Sequence, residues 1–233
     1  MYANVFKRIE QKYVITEEQQ AELFRRISKH MVKDKFFKST ISTIYFDNEN
    51  NEMIINAIEK PVYKDKVRLR SYTTPGVQDD VLLEIKNKYK GIVGKRRIKM
   101  TLQEFKKYFE EGKYDEKNQI MKEIDYLFKF YNLKPKLFIA YDRQSYASLE
   151  DKNLRITFDF NLRSRRNDLK LEDGDYGDSY FEDKKMVIME IKSLNSIPLW
   201  FINALSDMKI YPGSFTKYGN IYKKERLKGE CYV

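Results

Sequence analysis

The chain has 233 residues, 42% hydrophobic and 15% aromatic, with 45 Lys plus Arg against 35 Asp plus Glu and a formal charge of +10. This is a globular composition with ample material for a core, and it excludes a disordered chain, while the charge points to nucleic acid, phospholipid headgroups or phosphorylated small molecules as partner. A single cysteine, Cys231, excludes an internal disulfide, a single histidine, His30, leaves zinc sites without His/Cys ligands, and any His-based nucleophile pair would need that one residue, so chemistry falls to carboxylates, cations and a hard metal.

In chain order, "NVFKRIEQKYVI" reads as a strand and "TEEQQAELFRRISKHM" as a helix opened by a Thr16/Gln19 capping box. His30 is expected at the solvated end of that helix. A strand is predicted over 40–47, then a short helix over "NENNEMIINAIEK" that ends before Pro61. Strands follow at 65–73, 80–89 and 93–100, with turn residues Pro75, Gly76 and Gly91 between them. Thr101 and Glu104 cap a helix, and a further helix covers 117–132. "KPKLFIAYDRQSY", "LRITFDFNLRSR" and "KMVIMEIKSL" read as strands, and "PLWFINALSDM" and the final Tyr/Lys-rich segment as helices. "DGDYGD" at 173–178 lacks the spacing and terminal Glu of a calcium loop and reads as a solvated hairpin loop. "GIVGKRR" fails as a P-loop, having two residues between its glycines and Arg after the Lys. Without linker, repeat or low-complexity tract, one domain over 1–233 is expected. No apolar run reaches the ~18 residues of a membrane span, and the N-terminus lacks a secretory apolar core. A cytoplasmic setting without an integral membrane segment is expected, a membrane partner being compatible with it.

The strands share an unusual pattern. Alternation places Arg8, Glu10 and Lys12 on one face of the first strand, opposite Ile9 and Tyr13. Lys66, Arg68 and Arg70 oppose Val67 and Leu69; Glu84, Lys86 and Lys88 oppose Leu83 and Ile85. Lys95, Arg97 and Lys99 share a face, as do Arg155, Thr157 and Asp159, and Glu190 with Lys192. Ordinary wet faces mix Ser, Thr, Asn and Gln with charges, whereas these are almost wholly Arg, Lys and Glu. The economical arrangement is a closed sheet with a charged lumen, an apolar outer face and helices packed outside. Such a lumen suits a phosphate chain with a divalent metal.

"RIEQKY", "YFD", "KVRLRSY", "LEIKNKYKGIVGKRR", "YDRQSY", "LRITFD", "IMEIK" and "FTKYG" occur in the order found in the VTC domain. The chain resembles that domain, the catalytic part of the vacuolar transporter chaperone polyphosphate polymerase within the triphosphate tunnel metalloenzyme superfamily, from about residue 5 to 225. The resemblance implies an α+β fold with an eight-stranded antiparallel tunnel, a closed barrel. It implies phosphate ligands at Lys12, Arg68, Arg70, Lys86, Lys95, Arg97, Arg143, Arg155, Lys192 and Lys217, with Arg96 replacing Arg97 if a bulge shifts the register. Glu190 looks like the metal ligand for Mn²⁺ or Mg²⁺. Glu10 is the second candidate, although Arg8 stands where the hydrolytic branch of the superfamily carries a Glu.

The function expected is ATP-dependent transfer of a terminal phosphoryl group to a growing inorganic polyphosphate chain. Arg68, Arg70, Lys86 and Lys217 would align donor and acceptor, since such transfer needs positioning and charge neutralisation more than a nucleophile. The alternatives are a triphosphatase or polyphosphate hydrolase in the same tunnel and a non-catalytic polyphosphate-binding module. Nucleic acid is not expected as a ligand, because the cations alternate inward beside Glu instead of forming an outer stripe with aromatic platforms.

Overall fold

The computed structural model describes residues 9–59, 62–90, 92–114, 118–194 and 196–229. Within them the chain is mixed α+β. The strands are β1 (Ile9–Thr16), β2 (Met31–Asp47), β3 (Tyr63–Ser71), β4 (Asp80–Tyr89), β5 (Ile92–Thr101), β6 (Lys134–Ser148), β7 (Arg155–Arg165), β8 (Asp178–Ser179) and β9 (Met186–Ser193). The helices are α1 (Glu17–Ile27), α2 (Glu52–Ile58), α3 (Leu102–Glu111), α4 (Gln119–Tyr131), α5 (Leu199–Asp207) and α6 (Lys217–Leu227).

Local chemistry accounts for the helix starts. Thr16 Oγ1 accepts from the Gln19 amide at 3.1 Å and Gln19 Oε1 accepts from the Thr16 amide at 3.0 Å, the reciprocal box predicted for α1. Thr101 and Glu104 repeat it at α3, which stops at Gly112 with a left-handed φ of 68°. The α2 start is capped from the preceding strand: Asp47 accepts from the Met53 and Ile54 amides, each at 2.9 Å.

The hydrogen-bonded strand order is β1-β9-β7-β6-β2-β3-β4-β5, with the two-residue β8 pairing β7. Eight strands lie on that path, as expected. The closed barrel also requires pairing between β1 and β5, and the path among the described residues contains none.

The chain divides into two compact units, each assembled from three separate segments. The first comprises Met1–Ser39, Tyr141–Leu162 and Phe181–Phe215. Its core gathers Ile15 of β1, Leu23 and Ile27 of α1, Ile156 and Phe158 of β7, Met189 of β9 and Phe201 of α5. The second comprises Thr40–Ala140, Arg163–Tyr180 and Thr216–Val233. There Val67, Leu69, Leu83 and Ile85 of β3 and β4 pack under Phe105 of α3 and Ile124 of α4. In both units the apolar parity of the strands meets the helices, which leaves the charged parity on the other face.

Two expectations change. β2 begins at Met31, nine residues before the predicted strand, because its first half is mostly exposed and lacks the apolar alternation that marks a half-buried strand. His30 is not freely solvated: its Nδ1 lies 2.6 Å from Glu150 Oε1 and its ring stacks on Trp200 at 4.2 Å. The 173–178 loop is organised from beneath by Arg165. That guanidinium donates to the carbonyls of Asp168, Lys170, Gly174 and Tyr176, and lies between the rings of Phe138 and Tyr176. Arg8, Gly91 and Cys231 lie outside the described residues.

Phe158 has no exposed surface. Phe158→Ala is expected to lower unfolding free energy by roughly 3–5 kcal/mol, against roughly 0.5–2 kcal/mol for the cap removal Thr101→Ala. Urea titrations of the two variants check that order.

Candidate functional site

On the second unit, register builds the site. Arg68 of β3 stands opposite Glu84 of β4, which stands opposite Arg97 of β5. One step along, Lys66, Lys86 and Lys95 form the next row. Cross-strand partners share a face, so the register places all six side chains together. Arg96 has the other parity and pairs with Glu123 of α4 at 2.5 Å, so the bulge that would have substituted it for Arg97 does not occur.

Glu84 is the centre of this face. It is completely buried, with Arg68 Nε at 2.7 Å, Lys95 Nζ at 2.6 Å and Arg70 Nε at 3.9 Å. Burial pushes its pKa up, but Arg68, Arg70 and Lys95 outweigh that and hold it at about 2. Lys95 is pushed down from its usual value, first by burial and then by the neighbouring Arg68 and Arg70, against the support of Glu84.

Two buried donors beside this cluster are unsatisfied. Arg70 Nε has no hydrogen-bond partner, and neither has Thr43 Oγ1, on the residue opposite Arg70 in the β2–β3 register. Buried polar groups left unpaired cost about 1–3 kcal/mol each. A ligand that brings oxygen acceptors relieves both. Lys86 is half-buried, Arg97 is exposed, and Lys217 is the first residue of α6. That helix is seated by Tyr218, whose hydroxyl donates to Asp47 at 3.2 Å.

The first unit carries a second charged face. Lys12 of β1 stands opposite Glu190 of β9, which stands opposite Thr157 of β7; Glu10, Lys192 and Arg155 form the adjoining row. Glu190 Oε2 lies 3.1 Å from Lys192 Nζ. Burial raises the Glu190 pKa, and Lys192, Lys12 and Arg143 bring it back down to about 2. Arg143 is locked in a fork on the buried Asp159, with contacts of 2.6 and 2.8 Å. Lys12 donates to the Phe215 carbonyl at 3.1 Å. Glu10 and Arg155 are exposed, and Arg155 lies 3.6 Å from Asp34.

The register therefore brings Arg68, Arg70 and Lys95 around one carboxylate, and Lys12, Lys192 and Arg143 near another. Thr43, Tyr45 and Thr157 also face these clusters by register, and the sequence reading did not select them. Thr157 Oγ1 is buried without a partner, one strand from Glu190. Their signal is parity alone: each pairs with a charged residue once the register is known.

The VTC domain profile matches residues 7–225 of the chain. The chain belongs to the VTC domain family. No curated protein sequence matches it. Among solved structures, this VTC domain is similar to a candidate adenylate cyclase from Bacillus halodurans, with a TM-score of 0.55 at 12% identity over 90% of this chain and 93% of the other. A candidate adenylate cyclase from Vibrio parahaemolyticus gives a TM-score of 0.52 at 9% identity, covering 93% of this chain and 97% of that one. Likeness at such identities is likeness of fold.

Glu84→Gln is expected to cost roughly 3–5 kcal/mol of stability at neutral pH, because three partly buried cations lose their counter-charge. The folded-state pKa of Glu84 is depressed, so its contribution is present above the unfolded value of 4.5 and fades as pH falls towards 2. The variant and the parent should therefore converge in stability as pH drops through that window. Urea midpoints measured between pH 7 and 2.5 check the convergence.

Proposed function

We propose that this VTC domain is a polyphosphate polymerase, transferring the terminal phosphoryl group of ATP to the end of an inorganic polyphosphate chain. The observation that carries the reading is the pair of unsatisfied buried donors, Arg70 Nε and Thr43 Oγ1, set among cations that share a single buried carboxylate. Such a site is short of anionic oxygen, and a triphosphate supplies it along its length.

In this reading Arg68 and Arg70 bind and orient the triphosphate through charge-assisted hydrogen bonds, and Lys95 and Lys86 neutralise charge along the same face. Lys217 enters from the start of α6 and Arg97 from the exposed end of its row. The acceptor end of the chain is already anionic, so no strong general base is required. On the other charged face Lys12, Lys192, Arg143 and Arg155 are assigned to phosphate. Membership of the family supports polyphosphate as the acceptor, and nucleoside triphosphate as donor fits a cytoplasmic setting. Among the described residues, no helix is long and apolar enough to cross a membrane.

The family also implies a divalent metal. The donors of the β1–β9 face suit a hard cation: Glu190 is ionised and mostly buried, Glu10 has the same strand parity, and Thr157 Oγ1 is unpaired beside Glu190. Among the described residues no three His, Cys, Asp or Glu side chains cluster as a metal site. Two carboxylates agree with Mg²⁺ or Mn²⁺, which keep waters and phosphate oxygens as further ligands. Such an ion would supply charge neutralisation to phosphate oxygens held on that face.

Incubation of the purified protein with Mn²⁺ and ATP is expected to yield ADP and lengthening phosphate chains, resolved on a gel stained for polyphosphate. Orthophosphate without chains would establish a triphosphatase instead, and no turnover with any triphosphate would leave a binding module. Glu190→Gln should abolish turnover and keep tripolyphosphate binding, since it removes one carboxylate and none of the cations. Tripolyphosphate at a hundredfold excess over its dissociation constant stabilises a native-only binder by about 2.7 kcal/mol. At roughly 2–4 °C per kcal/mol, the melting midpoint should rise by roughly 5–10 °C, and short single-stranded DNA should move it far less.

A further inference from the structure

Tyr45 has no role in the chemistry described so far, yet its hydroxyl sits inside the cation cluster. It stands opposite Arg68 in the β2–β3 register and is 8% exposed. Its oxygen accepts from Arg68 Nη1 at 3.3 Å, while Arg68 Nε is committed to Glu84. The ring packs against Tyr218 with centroids 4.9 Å apart. The hydroxyl of Tyr218 is in turn committed to Asp47, so it is not the proton donor for Tyr45.

The charged and titratable groups around Tyr45 are unbalanced. β3 presents Lys66, Arg68 and Arg70, β5 presents Lys95 and Arg97, and β4 presents Lys86 and the carboxylate of Glu84. From α6 comes Tyr218, and from β2 itself Asp47, whose oxygens accept from the amides of α2 and from Tyr218. Glu84 thus serves three cations, and the phenol oxygen, hydrogen-bonded to Arg68, is a further group able to carry negative charge there. Burial alone raises the phenol's pKa, but Arg68, Arg70 and Lys66 reverse that and pull it down to about 7.

We propose that Tyr45 is a proton-carrying member of the phosphate site, an internal anion for Arg68 that an entering triphosphate oxygen replaces. The inference rests on the phosphate-binding reading above. When the triphosphate arrives, its oxygen takes the Arg68 guanidinium, and the phenolate beside a new negative charge takes one proton from solvent. No bond to phosphorus forms or breaks in this step. Phosphate binding and proton uptake are therefore one event at and above neutral pH, and at pH 6, where the phenol already holds its proton, they separate. By linkage, affinity for tripolyphosphate should fall by about tenfold per pH unit above the free-state pKa from this group alone.

The test compares the full chain with Tyr45→Phe, which keeps the ring against Tyr218 and removes the oxygen. Tyrosinate difference absorbance of the ligand-free proteins, titrated from pH 5.5 to 9, is expected to show one tyrosine ionising near neutrality in the parent and none in the variant. Saturating tripolyphosphate at pH 8 should abolish that signal. Calorimetry in two buffers of different ionisation enthalpy should show up to one more proton taken up by the parent than by Tyr45→Phe, a difference in which the ligand's own titration cancels. A parent that binds tripolyphosphate yet shows no tyrosinate near neutrality overturns the inference and leaves the phosphate reading standing. A signal that survives saturation overturns it too. If tripolyphosphate binds neither protein, the phosphate reading falls and takes this inference with it.

Discussion

Glu84 carries the negative charge that lets one sheet face hold Arg68, Arg70 and Lys95 together. Taking a carboxylate fully out of water costs several kcal/mol, and the cost is offset only by close, well-directed partners. The antiparallel register brings both partners close, Arg68 directly opposite Glu84 with a hydrogen bond to Oε2 and Lys95 from the next row on the following strand as an ion pair to Oε1. A slip of one residue would turn every cation of β3 toward the helices and bring Val67 and Leu69 out. Charge and core therefore demand the same register, and each protects the other.

Glu190 differs in a way that separates the two carboxylates. Both are held at about 2, and both are pushed up by burial before their cations pull them down. Glu84 has close contacts through both oxygens, at 2.7 Å and 2.6 Å. The ion pair to Glu190 runs through Oε2 to Lys192, on its own strand, at 3.1 Å. A side chain two positions along the same strand is a looser constraint than a guanidinium aimed from across a ladder. Glu84 is held as a counter-ion from across the ladder, while the Lys192 ion pair of Glu190 comes from its own strand.

Much of this was legible in the sequence because a strand's period of two needs no tertiary knowledge. Alternation alone put Lys66, Arg68 and Arg70 on one face and Val67 and Leu69 in the core, and the capping boxes at Thr16 and Thr101 form as read. Other features depend on what lies across the ladder. Thr43 and Tyr45 sit in "TISTIYFD", whose apolar company reads as plain core strand, and only the pairing with Arg70 and Arg68 reveals their surroundings. Glu84 read as one charge in a row, since burial of a carboxylate follows from its neighbours and not from its own position. The first half of β2 was invisible for a different reason: with Phe36 72% exposed, its apolar residues do not mark an inner face.

The segmentation of the two units bears on how the protein is made. The chain passes from one unit to the other at 39–40, 140–141, 162–163, 180–181 and 215–216. During synthesis the first unit has β1 and α1 at once, yet it must wait for β9 and α5 before the core around Met189 and Phe201 exists. The second unit can assemble β3, β4 and β5 as consecutive hairpins, but its α6 follows β9 and α5 of the first unit in the chain. Long-range closures of this kind slow folding and lengthen the time that unpaired strand edges stay exposed. A nascent chain stalled before residue 186 would present the edge of β1 without its β9 partner.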